Sequence, residues 1–417
     1  MLIVDNFFRR HLYRNSLAIL LSYGSNAFFG LVFWVIAARY FPVAIVGLAT
    51  VAISIGTFIV TLSKFGMDVG IMRYLPEKAD RAMLYNTVLA ASIVCALAVA
   101  LAFVGGLGLV SPALAAVADP GFLAAFVVFV LLFSVYLIQN NTFICLRKGE
   151  LSLVQNLILC LRIPLLLALI SYGITGIVLS FTLAYLLTVL FGFAFLRRLG
   201  IPPQLAVDVP SLAEILKYSL GNYTANVLSI APMYVLPFVI VTVAGAEEGA
   251  YFYIAYSVAS ILFMVPGAIA TSLFVEGSHS RPLVDDAVRS MKLILAIMVP
   301  ALVLIFLFGD RMLLLFNKDY ALQSFELLKL LALSSLFSSL TYIYIAIEKV
   351  HKDIVSINVI NFLVSAALIV ASPLALLHFG RAGIGYAWLF TYAAAGVVAM
   401  AGNWKHLVSA LRGSARA

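Results

Sequence analysis

Residues 46–63 read VGLATVAISIGTFIVTLS, and residues 64–78 continue directly with KFGMDVGIMRYLPEK. The first stretch carries no charge, and about 20 helical residues cross a bilayer core of about 30 Å. A helix that begins near Ala44 reaches Lys64 after about 30 Å, at a rise of about 1.5 Å per residue. The charged stretch is therefore predicted to begin where the bilayer ends.

The whole chain has the composition of a membrane protein. Of its 417 residues, 64% are hydrophobic and 11% are charged, whereas soluble domains have roughly 25% charged residues. The apolar segment at residues 16–38 is longer than the roughly 7–15 residues of a signal-peptide core, so we interpret it as a retained first span. The net charge of +8 does not indicate a nucleic-acid partner, because no soluble stretch is long enough to present a basic patch.

These features predict an all-α integral membrane protein with about twelve transmembrane helices. The predicted spans cover residues 16–38, 44–66, 83–109, 121–144, 151–171, 174–196, 216–243, 248–274, 288–308, 324–347, 354–378 and 383–404. The three cysteines lie within or at the ends of these spans without CxxC spacing, so we expect ordinary packing and no metal site.

The distribution of basic residues predicts the orientation. With the N-terminus in the cytoplasm, nineteen of the 26 lysines and arginines fall in inner loops or at inner helix ends, and four fall in outer loops. Basic residues accumulate on the cytoplasmic side of membrane proteins. We therefore expect a multi-pass protein of the cell (inner or plasma) membrane with both termini in the cytoplasm.

The two halves of the chain resemble each other. LSYGSNAFFG around Asn26 matches LGNYTANVLS around Asn226, and SYGITGIVLSFTLAYL near residue 171 matches LHFGRAGIGYAWLFTYA near residue 377. Six spans separate equivalent helices, so the repeat is parallel. We predict two six-helix lobes, residues 1–206 and 207–417, around a central cavity that opens alternately to either side of the membrane.

Four further segments resemble a known family when their order and spacing are taken together. They are FGMDVGIMRYLPE after span 2, LLLFNKDYALQSFELLKLLALSSLF at residues 313–337, the turn IEKVHKDI and the segment FGRAGIGYAW at the start of span 12. The chain is similar to the polysaccharide transporter branch of the multidrug, oligosaccharidyl-lipid and polysaccharide exporter superfamily, the Wzx-type O-antigen flippases. The resemblance implies a flippase that moves polyprenyl-pyrophosphate-linked oligosaccharide from the cytoplasmic to the outer leaflet for cell-surface polysaccharide synthesis, such as that of lipopolysaccharide. It does not specify the glycan or the lipid carrier.

Arg162 is the strongest candidate for a substrate-binding residue. It lies eleven residues after Leu151 in span 5, which is about 16 Å deep at about 1.5 Å per residue. A central arginine costs at least roughly 2.5 kcal/mol on insertion scales, so it must face a cavity or a partner. Its planar guanidinium suits phosphate, whereas the alternative is a structural arginine that binds kinked backbone near Pro164.

Other polar residues are weaker candidates. Amides and tyrosines near the middle of spans 1 and 7 could bind sugar hydroxyls or could simply join helices: Asn26, Asn226, Asn222, Tyr23 and Tyr223. The cytoplasmic mouth is predicted to carry Lys64, Asp68, Arg73, Asn140, Asn141 and Lys217. Lys64 and Asp68 are four residues apart and are predicted to pair on one helix face. The mouth residues either capture pyrophosphate or only define the edge of the membrane.

No motif for enzymatic chemistry is present. The chain lacks GxxxxGK[ST], HExxH and GxSxG, so we expect no P-loop ATP site, no cofactor and no enzymatic activity, and coupling to an ion gradient stays open. The expected partners are the lipid-linked oligosaccharide, membrane lipids and a glycan polymerase or other assembly proteins. Two alternatives remain: a cation-coupled multidrug exporter, which would need a buried carboxylate, and a non-transporting membrane scaffold for glycan-assembly enzymes.

Overall fold

The structure is a computed structural model that describes residues 2–204, 206–277 and 283–414. Within these ranges, the side chains of residues 2–13, 16, 110, 221, 222, 284 and 403–414 are not described. Every regular element of the described residues is helical. This agrees with the predicted all-α fold, because a helix satisfies its backbone hydrogen bonds internally where lipid offers no partners.

The chain divides into two compact units, Met1–Tyr223 and Thr224–Ala417. The first unit contains α1 (Leu2–Tyr40), α2 (Val43–Ser63), α3 (Met67–Tyr74), α4 (Arg81–Gly105), α5 (Leu107–Val110), α6 (Pro112–Ala115), α7 (Pro120–Cys145), α8 (Gly149–Leu159), α9 (Arg162–Ala168), a 3₁₀ turn (Ile170–Tyr172), α10 (Gly173–Arg198) and the start of α11 (Val209–Ala244). The second contains the rest of α11 with α12 (Ala246–Gly277), α13 (Leu283–Leu314), α14 (Lys318–His351), α15 (Ile354–Phe379) and α16 (Arg381–Ser414). The lobe boundary after residue 206 and the internal repeat stay predictions.

The predicted number of spans is confirmed. Within the described part of the chain, 12 helical segments are long and apolar enough to cross a membrane. Span 2 ends at Ser63, three residues before the predicted end, because Phe65 and Gly66 have φ of 45° and 77°. These left-handed conformations stop the helix.

Side chains fix several helix starts. Asp80 accepts a hydrogen bond from Met83 N at 2.8 Å and caps α4, and Asp119 accepts one from Phe122 N at 2.6 Å and caps α7. Such caps satisfy N–H groups that the first helical turn leaves without partners. These caps explain why α4 and α7 begin within two residues of the predicted starts of spans 3 and 4.

The loop between the predicted lobes is fastened to α4. Asn86 donates to Pro202 O at 2.9 Å and accepts from Gln204 N at 3.0 Å, while Asp208 N donates to Thr87 Oγ1 at 2.8 Å. Side chains of span 3 thereby provide the hydrogen bonds that the backbone of this loop would otherwise make with water. The start of α11 is consequently held within the first unit.

Aromatic side chains fill the core of each unit. In the first unit, Phe33 of α1 contacts Phe181 of α10 with ring centroids 4.7 Å apart, and Phe129 of α7 lies 6.0 Å from Phe181. In the second, Trp388 of α16 lies 5.2 Å from Tyr256 of α12. The cluster of the first unit forms one wall of the site described next.

Candidate functional site

Arg162 is the first residue of α9, and only 6% of its surface is exposed. Span 5 breaks immediately before it, at Cys160 and Leu161. Pro164 explains the break, because proline has no N–H to donate and its ring clashes with the carbonyl four residues earlier, which is that of Cys160. The Cys160 oxygen instead accepts from Ile163 N at 3.0 Å. Like α8, α9 packs on α1 and α10, and Arg162 contacts Asn26 of α1 and Phe181 of α10.

The guanidinium group of Arg162 lies among neutral oxygens and aromatic rings. Its Nη2 is 3.5 Å from both the backbone oxygen and Oδ1 of Asn26, which are long contacts for hydrogen bonds. Its Cζ lies 5.1 Å from the ring centroid of Phe181 and 5.8 Å from that of Phe33. These distances are within the range of cation–π attraction. Two residues of the predicted site, Arg162 and Asn26, are thus brought together.

Arg162 has no acidic neighbour in the part of the chain that the structure describes. None of the ion pairs there includes it, and its buried Nε has no hydrogen-bond partner. A buried cation without a counter-ion is costly, because it loses hydration without full compensation. The arrangement therefore favours binding of an anion at this guanidinium.

Gly30 gives the guanidinium its space on α1. A Cβ atom at Gly30 would lie 3.3 Å from Nη2 of Arg162, a contact that the arginine could accommodate only by shifting. Gly30 follows Asn26 by four residues, which places both on one face of α1. Gly30 was not among the predicted site residues, and the spacing of Gly30 from Asn26 is the signal that could have indicated it.

The other predicted sugar-binding residues differ in their exposure and contacts. Tyr23 of α1 is 57% exposed, and Asn226 is exposed on α11 in the second unit. The hydroxyl of Tyr223 donates to Leu62 O at 2.7 Å, which attaches α11 to the end of α2. The side chain of Asn222 lies outside the described residues.

A buried polar network near Arg162 was only partly predicted. Asn140 of α7, predicted at the cytoplasmic mouth, is 5% exposed and donates to Gln155 Oε1 of α8 at 3.2 Å. Gln155 in turn donates to Gln139 Oε1 at 3.1 Å, and Gln139 donates to Val189 O of α10 at 3.2 Å. These contacts join three helices inside the unit, whereas neighbouring Asn141 is half-buried.

The same network continues to α1 through residues that were not among the predicted site residues. Asn156 donates to Ser22 Oγ at 2.6 Å and accepts from Tyr136 OH at 2.9 Å, and Ser152 lies 3.0 Å from Ser22. Ser152 and Asn156 are four residues apart on α8, with Gln155 between them on the same face. This polar stripe in an otherwise apolar span is the signal that could have revealed them.

Charged residues at the predicted cytoplasmic end of the first unit are mostly paired. Lys64 Nζ lies 2.7 Å from Asp68 Oδ2, which confirms the predicted pair. The prediction that both lie on one helix face is wrong, because α2 ends at Ser63 and α3 begins at Met67. Arg73 pairs with Glu77 on the surface, and the hydrogen bond and charge of Glu77 raise the pKa of Arg73 above its usual value. Lys217 of α11 is exposed.

The helix α3 lies directly against the start of α11. A Cβ atom at Gly70 would collide with Ile215 and would lie 2.9 Å from Ser219 Oγ, and one at Gly66 would lie 2.7 Å from Ser219 Cβ. Only glycine permits this approach, and Gly66 also needs it for its φ of 77°. The KFGMDVG segment therefore packs α3 closely against the start of α11.

The sequence and the fold were compared with those of known proteins. The family described as polysaccharide biosynthesis protein matches residues 12–274. Among curated proteins, no sequence matches this chain significantly. Among solved structures, the lipid II flippase MurJ in an inward closed conformation matches with a TM-score of 0.74 and 16% identity, over 93% of this chain and 87% of that chain.

Two other solved structures share the fold. An inward-facing multidrug resistance MATE family transporter matches with a TM-score of 0.66 and 14% identity, over 95% of this chain and 99% of that chain. A transporter of the same superfamily from Pyrococcus furiosus, described as having a binding pocket of reverse polarity, matches with a TM-score of 0.56 and 15% identity over 96% of each chain. At these identities the likeness establishes the fold. The match over residues 12–274 shows that the chain belongs to the polysaccharide biosynthesis protein family.

Proposed function

We propose that this chain is a flippase that moves polyprenyl-pyrophosphate-linked oligosaccharide from the cytoplasmic to the outer leaflet, in the manner of the Wzx-type transporters. Membership of the polysaccharide biosynthesis family supports this proposal, as does the fold shared with a lipid II flippase. Transport would proceed by alternating access between two lobes, without covalent chemistry. We place the protein in the plasma membrane with both termini in the cytoplasm.

The observation that carries the proposal is the buried Arg162 without an acidic partner among the described residues. A pyrophosphate group would supply the missing negative charge, and a guanidinium can bind phosphate oxygens through two parallel hydrogen bonds. The contacts to Asn26 are long, so they are weak competitors for the substrate. Asn26 would then donate its own amide N–H groups to the same ligand.

The remaining candidate residues receive roles that follow from their exposure. Tyr23 and Asn226 are exposed and are proposed to contact sugar hydroxyls. Arg73 is proposed to capture pyrophosphate at the mouth, because exposed ion pairs such as Arg73–Glu77 contribute little energy and exchange partners readily. Lys64 and Asp68 neutralise each other, so their proposed role is to shape the mouth.

A deletion strain tests the proposal. Loss of the protein should cause lipid-linked oligosaccharide to accumulate facing the cytoplasm and should reduce surface glycan. At equal membrane levels, wild type should restore both, Arg162→Lys should restore them partly, and Arg162→Ala should not restore them. Arg311→Ala removes an exposed arginine of the second unit and serves as the matched control, which should restore both.

Two results would contradict parts of the proposal. If deletion changes neither the oligosaccharide nor the surface glycan, the chain is not a flippase for this substrate class. If both Arg162 variants restore transport fully, the flippase assignment stands but Arg162 is not in the binding site.

A cation-coupled multidrug exporter is the second candidate, and Glu348 is the observation that favours it. This carboxylate lies near the end of α14 with 3% of its surface exposed, and such exporters need a buried acid. The deletion strain separates the two, because an exporter predicts greater drug sensitivity with unchanged surface glycan. A scaffold for glycan enzymes predicts loss of surface glycan on deletion without accumulation of lipid-linked oligosaccharide facing the cytoplasm.

A further inference from the structure

An apolar groove lies in the first unit, apart from the Arg162 site. Its volume is about 450 Å³. It lies between the turn from α2 to α3, the middle of α4 and the start of α11, and its lining residues are Phe65, Met67, Ala91, Cys95, Leu212, Leu216, Lys217 and Leu220. Lys217 is the one charged residue among them. The groove is open, because Leu220 and Phe65 are 52% and 40% exposed.

The groove lies beside the face of α11 that packs on α3. Ile215 and Ser219 form the face that contacts Gly66 and Gly70. Leu212, Leu216 and Leu220 recur every four residues and form an apolar stripe beside that face. Opposite this stripe, α4 contributes only the short side chains of Ala91 and Cys95 to the lining. The groove is therefore a consequence of small residues on α4 and leucines on α11.

The groove extends from the predicted membrane surface into the hydrocarbon region. Cys95 lies fourteen residues after Arg81, the first residue of α4, which is about 21 Å along the helix. Lys217 precedes the apolar part of α11, which begins at Tyr223. Since one leaflet of a bilayer core is about 15 Å thick, the α4 side of the groove reaches at least as deep as a single acyl chain below a headgroup.

The charge at the mouth of the groove selects an anion. Glu214, the acidic residue nearest to Lys217 in the sequence, is bound by Lys78 Nζ at 3.0 Å. The lining contains no acidic residue. Lys217 is exposed and forms no ion pair within the described residues. An amphiphile with a negative headgroup and an apolar chain matches both features.

We propose that this groove binds an anionic phospholipid of the adjacent leaflet, with one acyl chain between α4 and α11 and the phosphate group on Lys217. The lipid fills a space that the protein leaves open and stabilises the packing of the start of α11 within the first unit. This site is independent of the proposed transport function. It also assigns Lys217 to a bilayer lipid instead of the transported substrate.

Native mass spectrometry of the purified full chain in detergent tests the site, with phosphatidylglycerol and phosphatidylcholine as probes. The wild type should retain one phosphatidylglycerol more tightly than phosphatidylcholine. Lys217→Ala should weaken phosphatidylglycerol binding about fivefold, the effect of one basic residue at an anionic membrane surface, and Lys217→Arg should not. Lys349→Ala, which removes an exposed lysine of the second unit, should leave binding unchanged.

Groove-filling variants test the acyl-chain part of the site. Ala91→Phe should weaken binding of both lipids, and Leu220→Asn provides a second variant at an exposed position in case Ala91→Phe does not fold. The proposal fails if Lys217→Ala binds phosphatidylglycerol as the wild type does, or if both phospholipids bind equally. It also fails if undecaprenyl phosphate binds the groove while phosphatidylglycerol does not. None of these outcomes depends on transport by the Arg162 site.

Discussion

Nη2 of Arg162 lies 3.5 Å from both oxygens of Asn26, so a buried cation of span 5 contacts neutral acceptors of span 1. Hydrogen bonds to a charged group are usually shorter, about 2.7–2.9 Å when the acceptor is also charged. The interaction is therefore well suited to exchange for a phosphate group. A purely structural arginine would be expected to have a closer or more negative partner.

The substitution Asn26→Asp should separate these two roles. An aspartate would give Arg162 an internal counter-ion and should raise the free energy of unfolding by about 1–2 kcal/mol. It should also reduce oligosaccharide transport, because the substrate must now displace a carboxylate. Stability in detergent and transport in the deletion strain are the measurements, with Asn26→Leu as the uncharged control. Increased stability with unchanged transport would show that Arg162 is structural.

The ring of Phe181 should stabilise the guanidinium group of Arg162 by a measurable free energy. In a double-mutant cycle of Phe181→Leu and Arg162→Met, we expect a coupling of about 2 kcal/mol, because the ring lies 5.1 Å from the guanidinium in a buried site. The measurement is denaturant unfolding in detergent. The same cycle with Phe126→Leu provides the control, since Phe126 contacts the rings of α7. Additive effects for Phe181 would contradict the interaction.

The sequence predicts a depth for Arg162, but it did not predict most of the residues that surround the guanidinium. Counting residues from the start of a span gives a height in the membrane, whereas the direction of a side chain depends on local breaks such as the one at Cys160 and Leu161. Pro164 provided a hint of that break. The contact with Asn26 requires the packing of α1 on α9, which no single helix specifies.

Asn140 of α7, in span 4, illustrates the same limit. Its position near the predicted cytoplasmic end of α7 suggested the mouth, but its amide contacts α8 inside the unit. Tyr223 was likewise predicted to contact sugar, but its hydroxyl donates a hydrogen bond to the backbone oxygen of Leu62. The number of spans was predictable, by contrast, because it depends only on length and hydrophobicity.

The buried amide network should be important for stability. Gln155→Leu removes one hydrogen bond from Asn140 Nδ2 and one from Gln139 Oε1, and we expect a loss of about 1–3 kcal/mol because both atoms are in buried side chains. A single interhelical hydrogen bond in a membrane contributes about 0.6 kcal/mol on average. Thermal unfolding in detergent measures the effect, with Val154→Leu on the 37% exposed side of α8 as the control. A loss no larger than that average would mean that the network relaxes around the change.

Two glycine substitutions should have opposite effects. Gly70→Ala places a methyl group against Ile215 and 2.9 Å from Ser219 Oγ, so it should destabilise the protein by about 1–3 kcal/mol through overpacking. Gly24→Ala meets nothing within 4 Å and should stabilise α1 by about 0.5–1 kcal/mol, since alanine favours the helix. Unfolding in detergent compares the two. If both substitutions change the free energy of unfolding equally, α3 can move away from α11 without cost. The groove beside Lys217 should then change shape, and Gly70→Ala should bind phosphatidylglycerol less tightly.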